Sequence, residues 1–236
     1  MRKILLMSNS TMHGGAYLEW PRRWVEEHLG GREALFIPYA RPSGVSHDEY
    51  TEATRAALAP VGSKVSGIHR HEDPVAAVEQ ADAVFAGGGN TFVLLRDLYA
   101  HGLLEPLQAR IAAGMPYMGA SAGSNIAGLT IGTTNDMPIV YPPSFDALAL
   151  VPFNINPHYL DPDPHSKHQG ETREARINEF HAHNPQPVVA LREGTLLRIA
   201  DDGMELIGEP GGLLFRAGTE PEALADGARL DPLLET

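Results

Sequence analysis

The residues Gly119-Ala120-Ser121-Ala122-Gly123 fit the pattern G-x-S-x-G. Apolar Tyr117-Met118 precede them, and the small-residue run Asn125-Ile126-Ala127-Gly128 follows. Strand, sharp turn and helix in that order expose a serine hydroxyl on a strained bend, and small neighbours let strand and helix approach each other. The new helix adds free N–H groups and a partial positive charge beside the oxygen. The chemistry this implies is attack by Ser121 Oγ on a carbonyl carbon. A second glycine-rich turn, Gly87-Gly88-Gly89-Asn90-Thr91, also stands between an apolar run and a helical pattern. Its backbone N–H groups can face a ligand with no side chain in the way. Phe92 occupies the place of the third glycine of a dinucleotide fingerprint, and no Gly-Lys-Ser/Thr follows, so no nucleotide cofactor is expected. The turn reads instead as half of an oxyanion hole, from the Gly88 or Gly89 N–H, completed by the Ala122 N–H. Asn90 is expected to line the substrate position.

A serine nucleophile needs a base and an orienting carboxylate. Among eleven histidines, His158 follows Asn154-Ile155-Asn156-Pro157, an extended run ending in a proline-fixed turn that can hold an imidazole rigidly. His165 and His168 are rivals in the same stretch. With Asp161 and Asp163 these histidines can also be read as a metal cluster, but their spacing matches no zinc pattern, and no metal is expected. Two carboxylates qualify for the third position: Asp136 in Thr133-Thr134-Asn135-Asp136-Met137-Pro138, and Glu193 in Leu191-Arg192-Glu193-Gly194. Both stay open.

The elements that would position these groups follow from hydrophobic patterning. Short apolar runs at residues 4–7, 34–37, 65–68, 83–86 and 117–119 alternate with helical patterns near 16–29, 47–59, 74–80, 91–113 and 122–130. Buried strands separated by helices predict an α/β fold, a mostly parallel sheet doubly wound into three layers. Residues 132–170, rich in Pro, Asn, Asp and His, read as long loops with short extended pieces. A helix over 172–183 and strands at 188–191, 195–200 and 204–207 follow, the last two joined by Asp201-Asp202-Gly203 as a hairpin. With no linker or repeat, the 236 residues are expected to form a single catalytic domain.

Thirty acidic residues against 18 Lys plus Arg give a net charge of −12, a field that disfavours nucleic acid and anionic membranes as partners. No apolar stretch approaches the ~20 residues of a membrane span. There is no cysteine, which removes disulfides, thiolate metal sites and thiol nucleophiles together and suits a cytoplasmic setting.

Taken together, these motifs resemble the peptidase E family, the α-aspartyl dipeptidases among serine peptidases. The resemblance runs along essentially the whole chain. It rests on Ser8-Asn9-Ser10-Thr11, Gly87-Gly88-Gly89-Asn90-Thr91-Phe92, Ser121-Ala122-Gly123, Thr133-Thr134-Asn135-Asp136-Met137-Pro138, Asn156-Pro157-His158 and Gly170-Glu171-Thr172-Arg173-Glu174. It implies a class I glutamine amidotransferase-like fold with serine in place of cysteine. It also implies cleavage of dipeptides with an N-terminal aspartate without metal or cofactor, Ser121 as nucleophile and His158 as base. For the third member it supports both Asp136 and Glu193. An acidic substrate in so acidic a protein needs a local cation. Arg173 is the candidate, since a guanidinium grips a carboxylate through two parallel hydrogen bonds, and Arg192 stands behind it. A cyanophycinase-like hydrolase of β-aspartyl linkages, an esterase or amidase, and a non-catalytic flavodoxin-like binding module are the alternatives.

Overall fold

Strand β1 (Ile4–Met7) consists of four fully buried apolar residues. Side chains alternate across a strand, so Ile4 and Leu6 enter one apolar core while Leu5 and Met7 enter another on the opposite face. A strand of this kind is stable only when both faces are covered. The structure, a computed structural model, describes residues 3–163, 165 and 170–235. It supplies the cover with helices α1 (Arg22–Leu29) and α2 (His47–Leu58) on one side. On the other lie α3 (Pro74–Gln80), α4 (Thr91–Ala100) and α5 (Leu104–Ala112).

The large sheet runs β3 (Val65–Gly67), β2 (Ala34–Ile37), β4 (Ala83–Ala86), β5 (Tyr117–Ala120), β1, β8 (Leu196–Ala200), β9 (Gly203–Ile207). The first five strands are parallel, and β8 and β9 add an antiparallel hairpin through Asp201-Asp202-Gly203. The chain is thus mixed α/β with a large, mostly parallel sheet. A second sheet of four strands was not legible in the sequence. Its order is β11 (Glu222–Leu224), β10 (Gly212–Phe215), β7 (Val188–Leu191), β6 (Asn154–Asn156), with β6 and β7 parallel. One face of β7, Val189 and Leu191, joins the core over the large sheet. The other face, Val188 and Ala190, packs with Tyr159, Phe215 and Ile177 of helix α7 (Arg173–His181).

Three helical expectations shorten. The stretch 91–113 is two helices, because Gly102 turns left-handed between them (φ 64°). Helix α1 begins at Arg22, after left-handed Leu18 and Pro21. The helix expected over 122–130 lasts only through α6 (Ala122–Asn125). The carbonyls of Ile126, Ala127 and Gly128 accept from Leu148, Leu150 and Ala149 N–H groups of a returning loop, and so do not continue a helical ladder.

Candidate active site

Ser121 sits where β5 ends and α6 begins, with φ 54° and ψ −111°, a conformation that non-glycine residues rarely adopt. Surrounding bonds hold it there. Its N–H donates to the Met7 carbonyl at 3.0 Å, and its own carbonyl accepts from Ser124 and Asn125 N–H. The Ser124 hydroxyl donates to the same Met7 carbonyl, and Tyr117 Oη donates to the Gly123 carbonyl at 2.6 Å. Both glycines of the pentapeptide are required by packing. A Cβ on Gly119 would meet the Gly123 carbonyl, and one on Gly123 would be driven into the carbonyl of Ala86 on β4.

His158 comes two residues after β6, and Glu193 two residues after β7. The parallel register that pairs Asn156 with Ala190 brings them to the same end of the small sheet. His158 Nε2 lies 3.0 Å from Ser121 Oγ, and its Nδ1 lies 2.7 Å from Glu193 Oε1. With the ring proton on Nδ1, the serine hydroxyl donates to Nε2 and the imidazole donates to Glu193. Like Ser121, His158 has a left-handed backbone (φ 54°). Ser8, just past β1, fixes it: the Ser8 hydroxyl accepts from His158 N–H at 2.9 Å and donates to the Leu191 carbonyl at 2.9 Å. Asn9 Oδ1 accepts from Gly194 N–H, which anchors the turn carrying Glu193. Histidine and glutamate side chains remain partly open to solvent, 38% and 46% exposed, so a small ligand can reach them.

Asp136 makes no contact with His158. Its Oδ2 accepts from Thr91 N–H and Oγ1, both at 2.7 Å, and from Thr134 Oγ1 at 3.2 Å, at the N-terminus of α4, where a carboxylate is favoured by the helix dipole. The neighbouring residues explain the rest of the Thr-Thr-Asn-Asp run. Asn135 Nδ2 donates to the Pro157 carbonyl, and Asn156 Nδ2 donates to Asn135 Oδ1 and to the Thr133 carbonyl. One short segment therefore braces the His158 turn and the glycine turn at once.

At the glycine turn the Gly88 N–H donates to Tyr50 Oη at 2.9 Å, and the same hydroxyl lies 3.2 Å from the Gly88 carbonyl. Of the two N–H groups expected to offer half of an oxyanion hole, that of Gly88 is thus bonded within the protein. Its lack of a side chain matters for another reason, because a Cβ there would come within 3.1 Å of Ser121 Cβ. Gly89 N–H has no acceptor among the described residues, and its φ of 146° presses its Cα against the Ala40 carbonyl. Ala122, the first residue of α6, has no intrahelical acceptor for its N–H. Asn90 is engaged in the scaffold: Oδ1 caps α4 by accepting from Val93 N–H, and Nδ2 donates to the Met137 carbonyl. The cap role was available from the sequence, as Asn before a helix is a preferred N-cap. Tyr50 was not identified, and Ser8 was named only within a motif, without a role. Tyr50 lies in a helix with no local motif, and Ser8 acts on residues 150 and 183 positions away.

Of the two candidate cations, Arg192 is paired. It meets Asp161 through Nε and Nη2 at 2.7 and 2.6 Å and donates to backbone carbonyls of Pro210 and Gly212. Arg173, half-buried at the start of α7, makes no ion pair among the described residues. Burial and the charge of Arg176 lower its pKa, while the Asp136 carboxylate acts the other way. It lines a cleft of about 400 Å³ with Leu160, Pro162 and Thr172. Asp163 Oδ1 accepts from His165 N–H. His168 lies outside the described residues. Among those described, no group of three His, Asp or Glu side chains is placed to hold a metal, and no helix is long and apolar enough to cross a membrane.

The sequence profile of peptidase family S51 matches residues 4–207. The chain belongs to peptidase family S51. Similar proteins span nearly its full length. A Streptomyces coelicolor protein named peptidase E is 53% identical over 98% of this chain and 95% of its own. A Drosophila melanogaster protein named probable alpha-aspartyl dipeptidase is 49% identical over 99% and 98%. The fold also matches the crystal structure of a peptidase from an acI-B1 Actinobacterium, with a TM-score of 0.71 at 15% identity, covering 98% of this chain and 97% of that one. This S51 chain is therefore a serine-type peptidase by family.

Proposed function

We propose that this enzyme is a dipeptidase that hydrolyses Asp-Xaa dipeptides through an acyl-enzyme on Ser121. The observation that carries the reading is the linear set of contacts from Ser121 Oγ to His158 (3.0 Å) to Glu193 (2.7 Å). The names of the full-length relatives direct it to aspartyl dipeptides. Ser121 Oγ attacks the peptide carbonyl carbon as its proton passes to His158 Nε2. Collapse of the tetrahedral intermediate expels the Xaa amine, which takes that proton. Water, deprotonated by the same nitrogen, then releases aspartate. Glu193 is assigned as the orienting carboxylate, because it faces Nδ1 whereas Asp136 is bonded to the start of α4. The free N–H groups of Gly89 and Ala122 are assigned to the oxyanion.

In the substrate, Arg173 is assigned to the aspartate side chain, supported by its missing carboxylate partner. Asp136 Oδ1, which accepts from no group among the described residues, is assigned to the free α-ammonium. We further read the chain as one catalytic unit of the doubly wound, class I glutamine amidotransferase-like kind; helices on both faces of the large sheet support this. The test is a panel of Asp-Leu, Asn-Leu, Glu-Leu, β-Asp-Leu and N-acetyl-Asp-Leu with wild type and Ser121→Ala. Asp-Leu should be cleaved well ahead of the others, and Ser121→Ala should lose the activity while its circular dichroism stays native. Turnover near wild type in the folded variant would remove Ser121 from the mechanism.

A further inference from the structure

A dipeptide with N-terminal aspartate carries two carboxylates, and the proposed function above provides a cation for only one. We infer that Arg41 binds the C-terminal carboxylate and so sets the enzyme to dipeptide length. The inference rests on the dipeptidase reading and adds the second anionic subsite to it.

Arg41 emerges from the loop after β2, at the same end of the parallel strands as the glycine turn and Ser121. The backbone just before it is fixed to that turn: Ala40 is fully buried, its carbonyl accepts from Asn90 N–H at 2.7 Å, and Gly89 packs against it. The guanidinium lies over the Tyr50 ring, 4.8 Å from the centroid. That ring is held in turn by its hydroxyl, 2.9 Å from Gly88 N, and Gly88 abuts Ser121. Tyr50 also meets Phe36 edge-on at 4.9 Å, so the platform under the arginine is part of the core. An aromatic face orients a guanidinium without neutralising it and leaves its N–H edge free for an anion. Arg41 has no carboxylate partner among the described residues, in a chain of net charge −12 where Arg192 is fully engaged with Asp161.

Arg41 and Arg173, neither with a carboxylate partner among the described residues, flank the glycine turn. Arg41 stands on the Gly88–Gly89 side, and Arg173 stands on the side of Asp136, which is bonded to Thr91. A peptide carbonyl held at Ser121 then has its aminoacyl half toward Asp136 and Arg173 and its leaving half toward Arg41. The leaving amino acid's carboxylate sits close to the scissile bond only in a dipeptide. A longer peptide would place a neutral amide there.

The experiment compares Asp-Leu with Asp-Leu amide, which lacks only the terminal charge, for wild type, Arg41→Ala, Arg41→Gln and Arg41→Lys. Wild type should prefer the free acid by about tenfold, the scale of one partly exposed charge contact. Arg41→Ala and Arg41→Gln should remove that preference by raising KM for Asp-Leu while leaving the amide within about twofold, since a group that binds ground and transition states alike acts through KM. Arg41→Lys should recover part of it. Melting curves identify any variant that fails to fold, and the glutamine variant keeps the stem over Tyr50 if alanine does not fold. Equal losses on both substrates, or none on either, would overturn the assignment. So would a loss that tracks Asp-Leu against Asn-Leu, since Arg41 would then read the side chain. If wild type leaves Asp-Leu intact, the dipeptidase reading itself fails, and this one with it.

Discussion

Two carboxylates stood equal in the sequence, and at the residue scale their hydrogen bonds separate them. Glu193 receives the imidazole, whereas Asp136 receives backbone and hydroxyl groups of Thr91. Glu193→Gln should therefore act on turnover, lowering kcat about a hundredfold or more by losing its hold on the imidazolium. Asp136→Asn keeps an acceptor for Thr91 N–H and should act on KM for substrates with a free α-ammonium. Steady-state kinetics on Asp-Leu decides, and a Glu193→Gln variant with unchanged kcat would return the orienting role to Asp136. Arg173 makes a separate claim. A charge left without its partner costs roughly 2–5 kcal/mol where the pair is shielded from water. Arg173→Ala should cut kcat/KM for Asp-Leu by tens of fold or more and for Asn-Leu far less. Equal losses would mean that the arginine supports the loop and does not read aspartate.

At the scale of elements, the serine turn depends on three backbones meeting without side chains between them. Gly123 faces the Ala86 carbonyl of β4, so Gly123→Ala must push α6 away from the sheet. Overpacking of this kind costs about 1–3 kcal/mol. The variant should unfold at lower urea, and while still folded it should lose activity out of proportion, because Ser121 rides on the displaced turn. A fully active variant of normal stability would show that the turn tolerates a methyl group. The five parallel strands and both chemical turns were legible in the sequence because hydrophobic runs and glycine clusters are local signals. Ser121, His158 and Glu193 were legible as residue types in loops. Which carboxylate faces the imidazole was not, because that depends on β6 pairing with β7 across more than thirty intervening residues. The protein partners of Asn90 and Gly88 were not legible for a related reason: whether a polar group is free depends on residues such as Met137 and Tyr50, 47 and 38 positions away.

At the scale of the whole molecule, packing and acid sensitivity are linked through His28. It is half-buried on α1, and desolvation, partly offset by a hydrogen bond with the Tyr117 backbone, lowers its pKa to about 4 from an ordinary 6.5. Unfolding lets it take up a proton anywhere between those values. Its contribution to stability is therefore complete above pH 6.5 and is lost as the pH falls toward 4, by about 3 kcal/mol at most. Urea midpoints at pH 7.5 and pH 5 should differ less in His28→Gln than in wild type; an unchanged difference would place the acid sensitivity elsewhere. The position of β1 has a further consequence, one of biosynthesis. Strand β1 lies between β5 and β8, and its following residue Ser8 ties down His158 and Leu191. Neither sheet partner of β1 has been added before residue 117, and the Glu193 carboxylate that faces the His158 ring comes 35 positions after it. Ser121 is therefore in the chain before the groups proposed to activate it, and a chain ending short of Glu193 lacks the carboxylate that faces the imidazole.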